Sequence, residues 1–316
     1  MSGSVLVTGG AGFIGSHIAE AYLAAGWSVT CLDDLSRGKR EQVPAAARFL
    51  QADVRSREAF EAIADGGFDV VNHQAAQIDV RVSVDEPAHD ASINLVGFAN
   101  ILGGAAAGGV KRVVFASSGG VVYGDPDVIP TPETAPNLPI SPYGVSKLAG
   151  EHYLRVMGTL KGFEGVAMRY ANVYGPRQDP KSEAGVVSIF VSRVLAGQPL
   201  TIFGDGEQTR DYVFVRDVAR ANVLASSAAV SRGDRLDVPA FNIATSRETT
   251  VNELARHVMR ALGREVSVEH AAPRAGELAR SCLDTSKAAR ELGWRPEVTF
   301  DEGLAALAAW FQGAAS

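Results

Sequence analysis

Short apolar runs and longer helical stretches alternate through the first half of the chain. Near-continuous apolar runs of this length predict strands that are buried on both faces, as in a parallel sheet. They lie at Val5–Thr8, Ser28–Leu32, Arg48–Gln51, Val70–Asn72, Val113–Ser117 and Gly165–Arg169.

Helices are predicted between these strands, over residues 13–25, 56–65, 93–107 and 143–160. Strand, helix and strand, repeated in this order, imply right-handed crossovers with helices on both faces of the sheet. The pattern therefore predicts an α/β fold with a doubly wound parallel sheet. After residue 170 the spacing is less regular, and we expect a smaller, mixed α/β unit there.

Two segments of this pattern carry separate expectations. Prolines exclude a helix interior and a central strand between residues 126 and 142, so we expect a long surface loop that ends where helix 143–160 begins. The predicted helix 93–107 is apolar and rich in small residues. It fits either a helix buried on the sheet or a contact with a second subunit.

Composition excludes several classes of protein. The 316 residues suffice for two domains, and 46% apolar with 21% charged residues excludes a disordered or collagen-like chain. A net charge of −6 without a basic block argues against binding to nucleic acid or an anionic membrane. Cys31 and Cys282 are the only cysteines, which excludes a disulfide scaffold and a multi-cysteine zinc site. With no long apolar run, and a strand at Val5 leaving no room for a signal peptide, we expect a cytosolic protein.

A glycine-rich turn joins the first strand to the first helix. Gly9, Gly12 and Gly15 are spaced G-x-x-G-x-x-G, which lets the backbone approach a pyrophosphate at the helix N-terminus. Asp33 ends the second strand, where a carboxylate accepts hydrogen bonds from an adenosine ribose and repels a 2′-phosphate. These features predict a Rossmann sheet that binds NAD, although Arg37 and Lys39 nearby would suit NADP.

Tyr143 and Lys147 are four residues apart at the start of a predicted helix, so they share one face. An ammonium near a phenol lowers the phenol's pKa from its usual value of about 10, so the tyrosine can act as a base nearer neutral pH. The alternative is a solvated helix face. Ser117 and Ser118 end the preceding strand and supply candidate hydroxyls.

Several motifs in combination resemble the extended short-chain dehydrogenase/reductases, and within them the NAD-dependent UDP-glucose (galactose) 4-epimerases. The motifs are TGGAGFIG at 8–15, FASSGGVVYG at 115–124, SPYGVSK at 141–147, RYANVYGPRQ at 169–178, FGDGEQTRDYVFVRDVA at 203–219 and PRAGE at 273–277. The resemblance implies reversible 4-epimerisation of UDP-glucose and UDP-galactose through a transient 4-keto sugar on bound NAD. Tyr143 would remove the 4-hydroxyl proton, and Lys147 would hold the nicotinamide ribose.

The resemblance also implies a division of the chain and an assembly. An NAD-binding Rossmann domain would span residues 1–169, with a return segment near 211–245, and a nucleotide-sugar-binding domain would span 170–316. Related enzymes are dimers that pair two helices from each subunit, here about 93–107 and 143–160. We therefore expect a homodimer that binds a UDP-sugar.

Site residues follow from the resemblance position by position. The implied NAD contacts are Gly9, Gly12, Phe13, Ile14, Gly15, Asp33, Asp34, Asp53, Val54, Gln74, Ala75, Tyr143, Lys147 and Tyr170. Asp53 either caps the next helix or contacts the adenine. The implied substrate contacts are Asn172, Phe203, Arg210, Arg274, Glu277 and Ser281.

Each implied substrate contact has an expected role. Arg210, Arg274 and Asn172 would bind the diphosphate, Glu277 a ribose hydroxyl, and Phe203 would lie beside the base. Ser281 stands where a bulky tyrosine confines relatives to glucose and galactose, so the chain is expected to admit N-acetylated sugars as well.

The sequence departs from the resemblance at one catalytic position. Many epimerases carry Ser or Thr four residues before the tyrosine of the Tyr-Gly pair, and this chain has Gly119 there. Ser118 is therefore the first candidate for the assisting hydroxyl and Ser117 the second. The related 4,6-dehydratases carry an acidic pair where this chain has Gly120 and Val121, which argues against dehydration.

Two other functions stay open. One is another enzyme of the same superfamily, either a different nucleotide-sugar epimerase or a 4-keto reductase that consumes NAD(P)H, and the other is a dinucleotide-sensing regulator without catalysis. The intact pair of Tyr143 and Lys147 argues against the regulator. His73 is expected to pack in the core rather than bind a ligand, and no cluster of His, Asp and Glu has the spacing of a metal site.

Overall fold

The computed structural model describes residues 3–180, 185–231, 233–273 and 278–313. The strands are β1 (Ser4–Thr8), β2 (Ser28–Asp33), β3 (Arg48–Gln51), β4 (Val70–His73), β5 (Arg112–Ser118), β6 (Glu164–Tyr170), β7 (Asn172–Tyr174), β8 (Leu200–Phe203), β9 (Thr209–Arg210), β10 (Tyr212–Phe214), β11 (Ala240–Ile243), β12 (Thr249–Thr250) and β13 (Val268–Ala271).

The α-helices are α1 (Phe13–Ala24), α2 (Arg57–Ala64), α3 (Val80–Asp85), α4 (Pro87–Ala91), α5 (Phe98–Ala107), α6 (Gly119–Val122), α7 (Pro142–Lys161), α8 (Val186–Leu195), α9 (Val215–Ser227), α10 (Val251–Leu262), α11 (Ser286–Glu291) and α12 (Phe300–Phe311). A π-helical segment at Ser92–Gly97 runs directly into α5, and a short 3-10 helix lies at Arg40–Gln42. The strands and helices predicted for the first half are confirmed.

Seven parallel strands form the main sheet in the order β11-β6-β5-β4-β1-β2-β3. The order reverses direction at β1, as in a doubly wound sheet, so the α/β Rossmann prediction is confirmed. Side chains alternate across β1: Val5 and Val7 pack with α1 and α9, whereas Leu6 packs on the opposite face with α2 and α5.

The later part of the chain builds a smaller unit and also returns to the main sheet. Helices α8, α10 and α12 surround a separate apolar cluster with β8 and β10. Helix α9 packs on α1, and β11 joins β6 at the edge of the main sheet. The domain boundaries implied by the resemblance stay a prediction.

The proline-rich segment runs as turns and extended backbone from Gly124 to Ser141, but it is not a surface loop throughout. Thr131 and Glu133 are buried, and the Thr131 amide donates to the Cys282 carbonyl at 2.9 Å. Thr131 also forms a parallel bridge with Leu283. The expectation of a surface loop is wrong for this middle part, because it lies between the main sheet and segment 281–284.

Within the residues that the structure describes, none of the helices is both long and apolar enough to span a lipid bilayer.

Candidate active site

The turn between β1 and α1 has no room for side chains. Gly9 has φ +67°, a left-handed conformation that favours glycine, and a Cβ there would lie 2.8 Å from the Ala75 amide nitrogen. A Cβ on Gly15 would lie 2.1 Å from the Gly9 carbonyl oxygen. Glycine is therefore required at both positions for the turn to close against the strand edge.

The N-terminus of α1 suits an anion. Its cap is Gly12, no side chain caps the helix, and its first turn carries no acidic residue. The first amides of a helix lack partners within the helix, and the helix dipole favours negative charge there. This cradle fits the diphosphate of a dinucleotide, to which the predicted contacts Phe13 and Ile14 would offer their amides.

Asp33 is held at the end of β2 beside that turn. Its carboxylate accepts from the Ala11 amide at 3.0 Å and from the Leu35 amide at 2.9 Å, and only 7% of the residue is exposed. Burial raises the pKa of Asp33, and the two amides oppose that rise. Because a carboxylate has more than two acceptor sites, Asp33 retains capacity for ribose hydroxyls. Asp34 is exposed and accepts from the Ser36 amide and hydroxyl.

Asp53 does not cap α2, so that alternative is wrong. Ser56 is the cap, and its hydroxyl accepts from the Ala59 amide at 3.1 Å. The Asp53 carboxylate instead pairs with Arg55, whose Nε lies 2.9 Å from Oδ1. That pairing lowers the Asp53 pKa, and the adenine contact stays a prediction. Val54 is buried against Gly97, where a Cβ would approach its Cγ2 to 2.7 Å.

Gln74 and Tyr170 meet in a buried polar network. The Tyr170 hydroxyl donates to Gln74 Oε1 at 3.3 Å and accepts from Asn222 Nδ2 at 2.8 Å. Asn222 lies on α9, and sequence reasoning missed it. The signal for it was an asparagine flanked by apolar residues on a helix that packs against the sheet.

Tyr143 and Lys147 lie on the first turns of α7, as predicted. Pro142 begins this helix, and the Ser141 hydroxyl caps it by accepting from the Gly144 amide. Lys147 is 4% exposed and its Nζ donates to the Ala116 carbonyl at 2.9 Å. This Nζ lies 5.7 Å from the centre of the Tyr143 ring.

The electrostatics of this pair differ from the prediction. Burial raises the pKa of Tyr143, Asp90 raises it further, and hydrogen bonding with Ser118 lowers it. Burial lowers the pKa of Lys147 to about 8, against the opposing effect of Asp90. Desolvation thus keeps the pKa of Tyr143 above its usual value, contrary to the predicted net lowering, and the Lys147 ammonium donates to a carbonyl rather than to the phenol.

The two candidate serines have different partners. Ser118 is near enough to the Tyr143 hydroxyl to lower its pKa through hydrogen bonding. Ser117 is buried, and its hydroxyl donates to Glu151 Oε1 at 2.5 Å. Ser117 thus donates elsewhere, which argues against it as second candidate, and Ser118 stays the first candidate for the assisting hydroxyl.

Leu283 explains the glycine at position 119. A Cβ on Gly119 would lie 2.3 Å from Leu283 Cδ1, inside any possible contact. A serine or threonine at 119 would require the Leu283 side chain to move, and Ser118 stays the predicted source of the assisting hydroxyl.

The described substrate candidates converge near the start of the smaller unit. Asn172 begins β7, and its amide donates to the carbonyl of Asp211, the residue after Arg210. Arg210 Nη1 donates to the Thr209 carbonyl at 2.7 Å and the Leu278 carbonyl at 2.9 Å. The Ser281 amide donates to the Thr209 carbonyl, and Ser281 is 8% exposed. Arg210 and Ser281 are thereby brought together through Thr209.

Phe203 ends β8 and pairs with Ala271 of β13. Arg274 and Glu277 lie outside the described residues.

His73 packs in the core, as expected. It stacks on Phe98 with ring centres 4.7 Å apart, and its Nδ1 lies 2.8 Å from the Thr8 hydroxyl. Burial lowers its pKa to about 3. In the part of the chain that the structure describes, no group of three or more His, Cys, Asp or Glu side chains is placed to hold a metal ion.

Comparisons with known proteins agree on one family. Residues 5–244 match the NAD dependent epimerase/dehydratase family. The UDP-glucose 4-epimerase of Mycolicibacterium smegmatis is 44% identical over 97% of this chain and 98% of its own length.

Two solved structures are similar over nearly their whole length. The UDP-glucose 4-epimerase of Thermotoga maritima, solved with UDP-glucose, has a TM-score of 0.93 at 43% identity, covering 98% of this chain and 99% of its own. The Thermus thermophilus UDP-glucose 4-epimerase, solved with NAD, has a TM-score of 0.91 at 46% identity, with the same coverage.

Proposed function

We propose that this chain, which belongs to the NAD dependent epimerase/dehydratase family, is an NAD-dependent enzyme that interconverts UDP-glucose and UDP-galactose by inverting sugar C4. The observation that carries the proposal is the half-buried Tyr143, with Ser118 near its hydroxyl and Lys147 at its ring, at the same sheet edge as the glycine turn. Relatives over the full chain support the same reaction.

The chain's own residues fit the cofactor. The glycine turn and the uncapped N-terminus of α1 would hold the diphosphate, and Asp33 would accept from the adenosine ribose. Lys147 would hold the nicotinamide ribose. When bound, NAD supplies a hydride acceptor and then a hydride donor, so C4 is oxidised and reduced again with no other oxidant.

Tyr143 moves the proton. Its phenolate oxygen takes the proton of the sugar 4-hydroxyl and returns it after the 4-keto sugar has turned over in the pocket. Ser118 stabilises that oxygen by donating a hydrogen bond. Because burial raises the phenol's pKa, the phenolate needs nearby positive charge, and the ammonium of Lys147 is the cation in place.

Two neighbouring reactions are less well supported. Dehydration needs an acid and a base beside the sugar, and Gly120 and Val121 offer neither. A 4-keto reductase would use the same Tyr143 and Lys147 but must exchange its cofactor at every turnover.

We also propose a cytosolic homodimer. Helix α7 leaves Val145, Val156 and Leu160 exposed, and the neighbouring helical segment leaves Val96 61% exposed. Exposed apolar side chains on two adjacent helices favour a helical contact between subunits.

The experiment is incubation of purified protein with UDP-galactose and no added cofactor, followed by separation of the sugar nucleotides. UDP-glucose should form catalytically, with NAD(H) released on denaturation. Turnover that requires a stoichiometric nicotinamide would indicate a reductase, and no turnover under any of these conditions would contradict both enzymes.

A further inference from the structure

A buried ion pair lies next to β5, the strand that ends at Ser117 and Ser118 and is here called the catalytic strand. Arg169 on β6 is 0% exposed and Glu151 on α7 is 2% exposed. Arg169 Nε donates to Glu151 Oε1 at 2.9 Å and Nη2 donates to Oε2 at 2.7 Å. The fork of the guanidinium thus meets both oxygens of the carboxylate.

Such a pair is poorly explained by stability alone. The free-energy cost of removing two charges from water offsets much of their mutual attraction. Well-packed apolar residues of similar size can often replace a buried ion pair without loss of stability. The attested use of a buried pair is to specify one arrangement of the elements that it joins. The elements joined here are the ones that carry the catalytic groups.

The first link reaches the catalytic hydroxyl. Glu151 Oε1 accepts from the Ser117 hydroxyl at 2.5 Å, and Ser117 is the direct neighbour of Arg169 in the β5–β6 ladder. The bond from Ser117 to Glu151 therefore fixes the end of β5 against α7, and with it the backbone that carries Ser118.

The second link reaches the proline-rich segment. Arg169 Nη1 donates to the Tyr123 hydroxyl at 2.9 Å and to the Glu133 carbonyl at 3.2 Å. The Tyr123 hydroxyl in turn donates to Asn242 Oδ1 at 2.8 Å, and the Asn242 side-chain amide donates to the Thr131 carbonyl.

Thr131 passes the same constraint to the substrate side. It pairs with Leu283, which lies two residues after Ser281. The Leu283 side chain fills the space over Gly119. One ion pair thus fixes β5, which ends at Ser118, and the segment that covers Ser118 and Gly119, here called the catalytic turn.

We propose that Glu151 and Arg169 are positioning residues, which set Ser118 against Tyr143 and hold segment 131–133 and Leu283 over the catalytic turn. The inference rests on the proposed epimerase function for its kinetic test. It assigns no direct contact with sugar or cofactor to either residue.

The chain supplies a matched control on the same two strands. Arg112 and Glu164 are paired at the opposite end of the β5–β6 ladder, with Arg112 Nε 3.1 Å from Glu164 Oε2. Arg112 and Glu164 are neighbours across β5 and β6, just as Ser117 and Arg169 are. They lie at the other end of these strands, away from the catalytic groups.

The main test replaces each pair with apolar residues of similar size. In Glu151→Leu/Arg169→Met, we expect Tm and NAD content close to wild type, but kcat for UDP-galactose lower by about 10- to 100-fold with little change in KM. In Arg112→Met/Glu164→Leu, kcat should stay at the wild-type value. A double variant of the buried pair with wild-type Tm and wild-type kcat would overturn the proposal.

If Glu151→Leu/Arg169→Met does not fold, two single variants test the positioning role. Ser117→Ala and Tyr123→Phe each remove one hydroxyl from the network and leave the ion pair intact. Each should lower kcat by several-fold at unchanged NAD content, and Ser117→Thr, which keeps a hydroxyl, should recover part of it. Wild-type kcat in both single variants would refute the positioning role.

Hydrogen exchange separates this inference from the proposed function. Arg169→Met should speed amide exchange in peptides covering 124–141, whereas Arg112→Met should not. An inactive wild type with that exchange pattern would contradict the epimerase alone. Equal exchange in both variants would contradict the link from Arg169 to the proline-rich segment.

Discussion

The ammonium of Lys147 lies 5.7 Å from the centre of the Tyr143 ring, one turn further along α7, and donates to the carbonyl of Ala116. The lysine is thus fixed to the catalytic strand while it faces the catalytic tyrosine. Burial lowers the pKa of Lys147 to about 8 and raises that of Tyr143. Burial therefore disfavours both the ammonium of Lys147 and the phenolate of Tyr143. When both groups are charged, their opposite charges stabilise each other.

Removing the phenol hydroxyl should remove the base. Tyr143→Phe is expected to lower kcat by about 10²–10⁴-fold while affinity for NAD and UDP-sugar stays near wild type, because the ring still packs. Steady-state kinetics and titration calorimetry measure the two effects. Tyr153→Phe on the exposed side of α7 is the control and should keep full activity. A folded Tyr143→Phe protein with wild-type turnover would refute the assignment.

Lys147→Met should abolish activity and stabilise the fold at neutral pH. Between pH 8 and 10.5 the folded state binds fewer protons at Lys147 than the unfolded state, so wild-type stability rises with pH over that window. Below it, the buried ammonium lowers the free energy of unfolding by about 3 kcal/mol, which the variant regains. Urea unfolding at pH 7 and pH 10 should show a difference between the proteins that shrinks as pH rises. A difference that is constant with pH would contradict the lowered pKa.

Asp33→Ala should weaken NAD more than NADP. The substitution removes both an acceptor for the ribose and the negative charge that repels a 2′-phosphate. Reconstitution of stripped protein with each cofactor, followed by fluorescence titration, gives the ratio of the two affinities. A wild-type enzyme that prefers NADP would show that Arg37 or Lys39 dominates and that the role given to Asp33 is wrong.

A charge on the exposed face of α7 should prevent dimerisation. Leu160 is 71% exposed, and Leu160→Glu places a carboxylate where the proposed partner helix would pack. Light scattering at micromolar concentration is expected to give a dimer for wild type and a monomer for the variant. Val128→Glu in the proline-rich segment is the control and should stay dimeric. A monomeric wild type would contradict the proposed assembly.

Features set by local sequence were predictable, and features set by distant contacts were not. The glycine turn and the Tyr143–Lys147 spacing each lie within one short segment, so strand and helix periodicity were enough to place them. His73 was placed in the core because a lone histidine after an apolar strand has no ligand partner nearby.

The arrangement around Gly119 depended instead on contacts across the chain. Leu283 is far from Gly119 in sequence, and Ser117 is committed by Glu151 on another element. The pKa of Tyr143 likewise depends on how deeply the fold buries it, which spacing along a helix does not reveal.

Substrate breadth is predicted to depend on Ser281. This residue follows the PRAGE segment at the position where relatives confined to glucose and galactose carry a bulky tyrosine. In the structure it is 8% exposed and tied by its amide to the Thr209 carbonyl, beside the expected diphosphate ligand Arg210. Its backbone is therefore fixed, and the prediction is that its small side chain would leave space next to the sugar's C2 substituent.

The prediction is that the wild type interconverts UDP-GlcNAc and UDP-GalNAc as well as UDP-glucose and UDP-galactose. Ser281→Tyr should abolish only the first activity, because the phenol would fill the space that an N-acetyl group needs. Both activities are measured by separating the products after incubation with each substrate. Ser281→Ala is the control and should keep both, since it adds no bulk. A wild type inert towards UDP-GlcNAc would refute the prediction, as would a Ser281→Tyr protein that loses both activities equally, because that pattern indicates a damaged fold rather than a narrowed pocket.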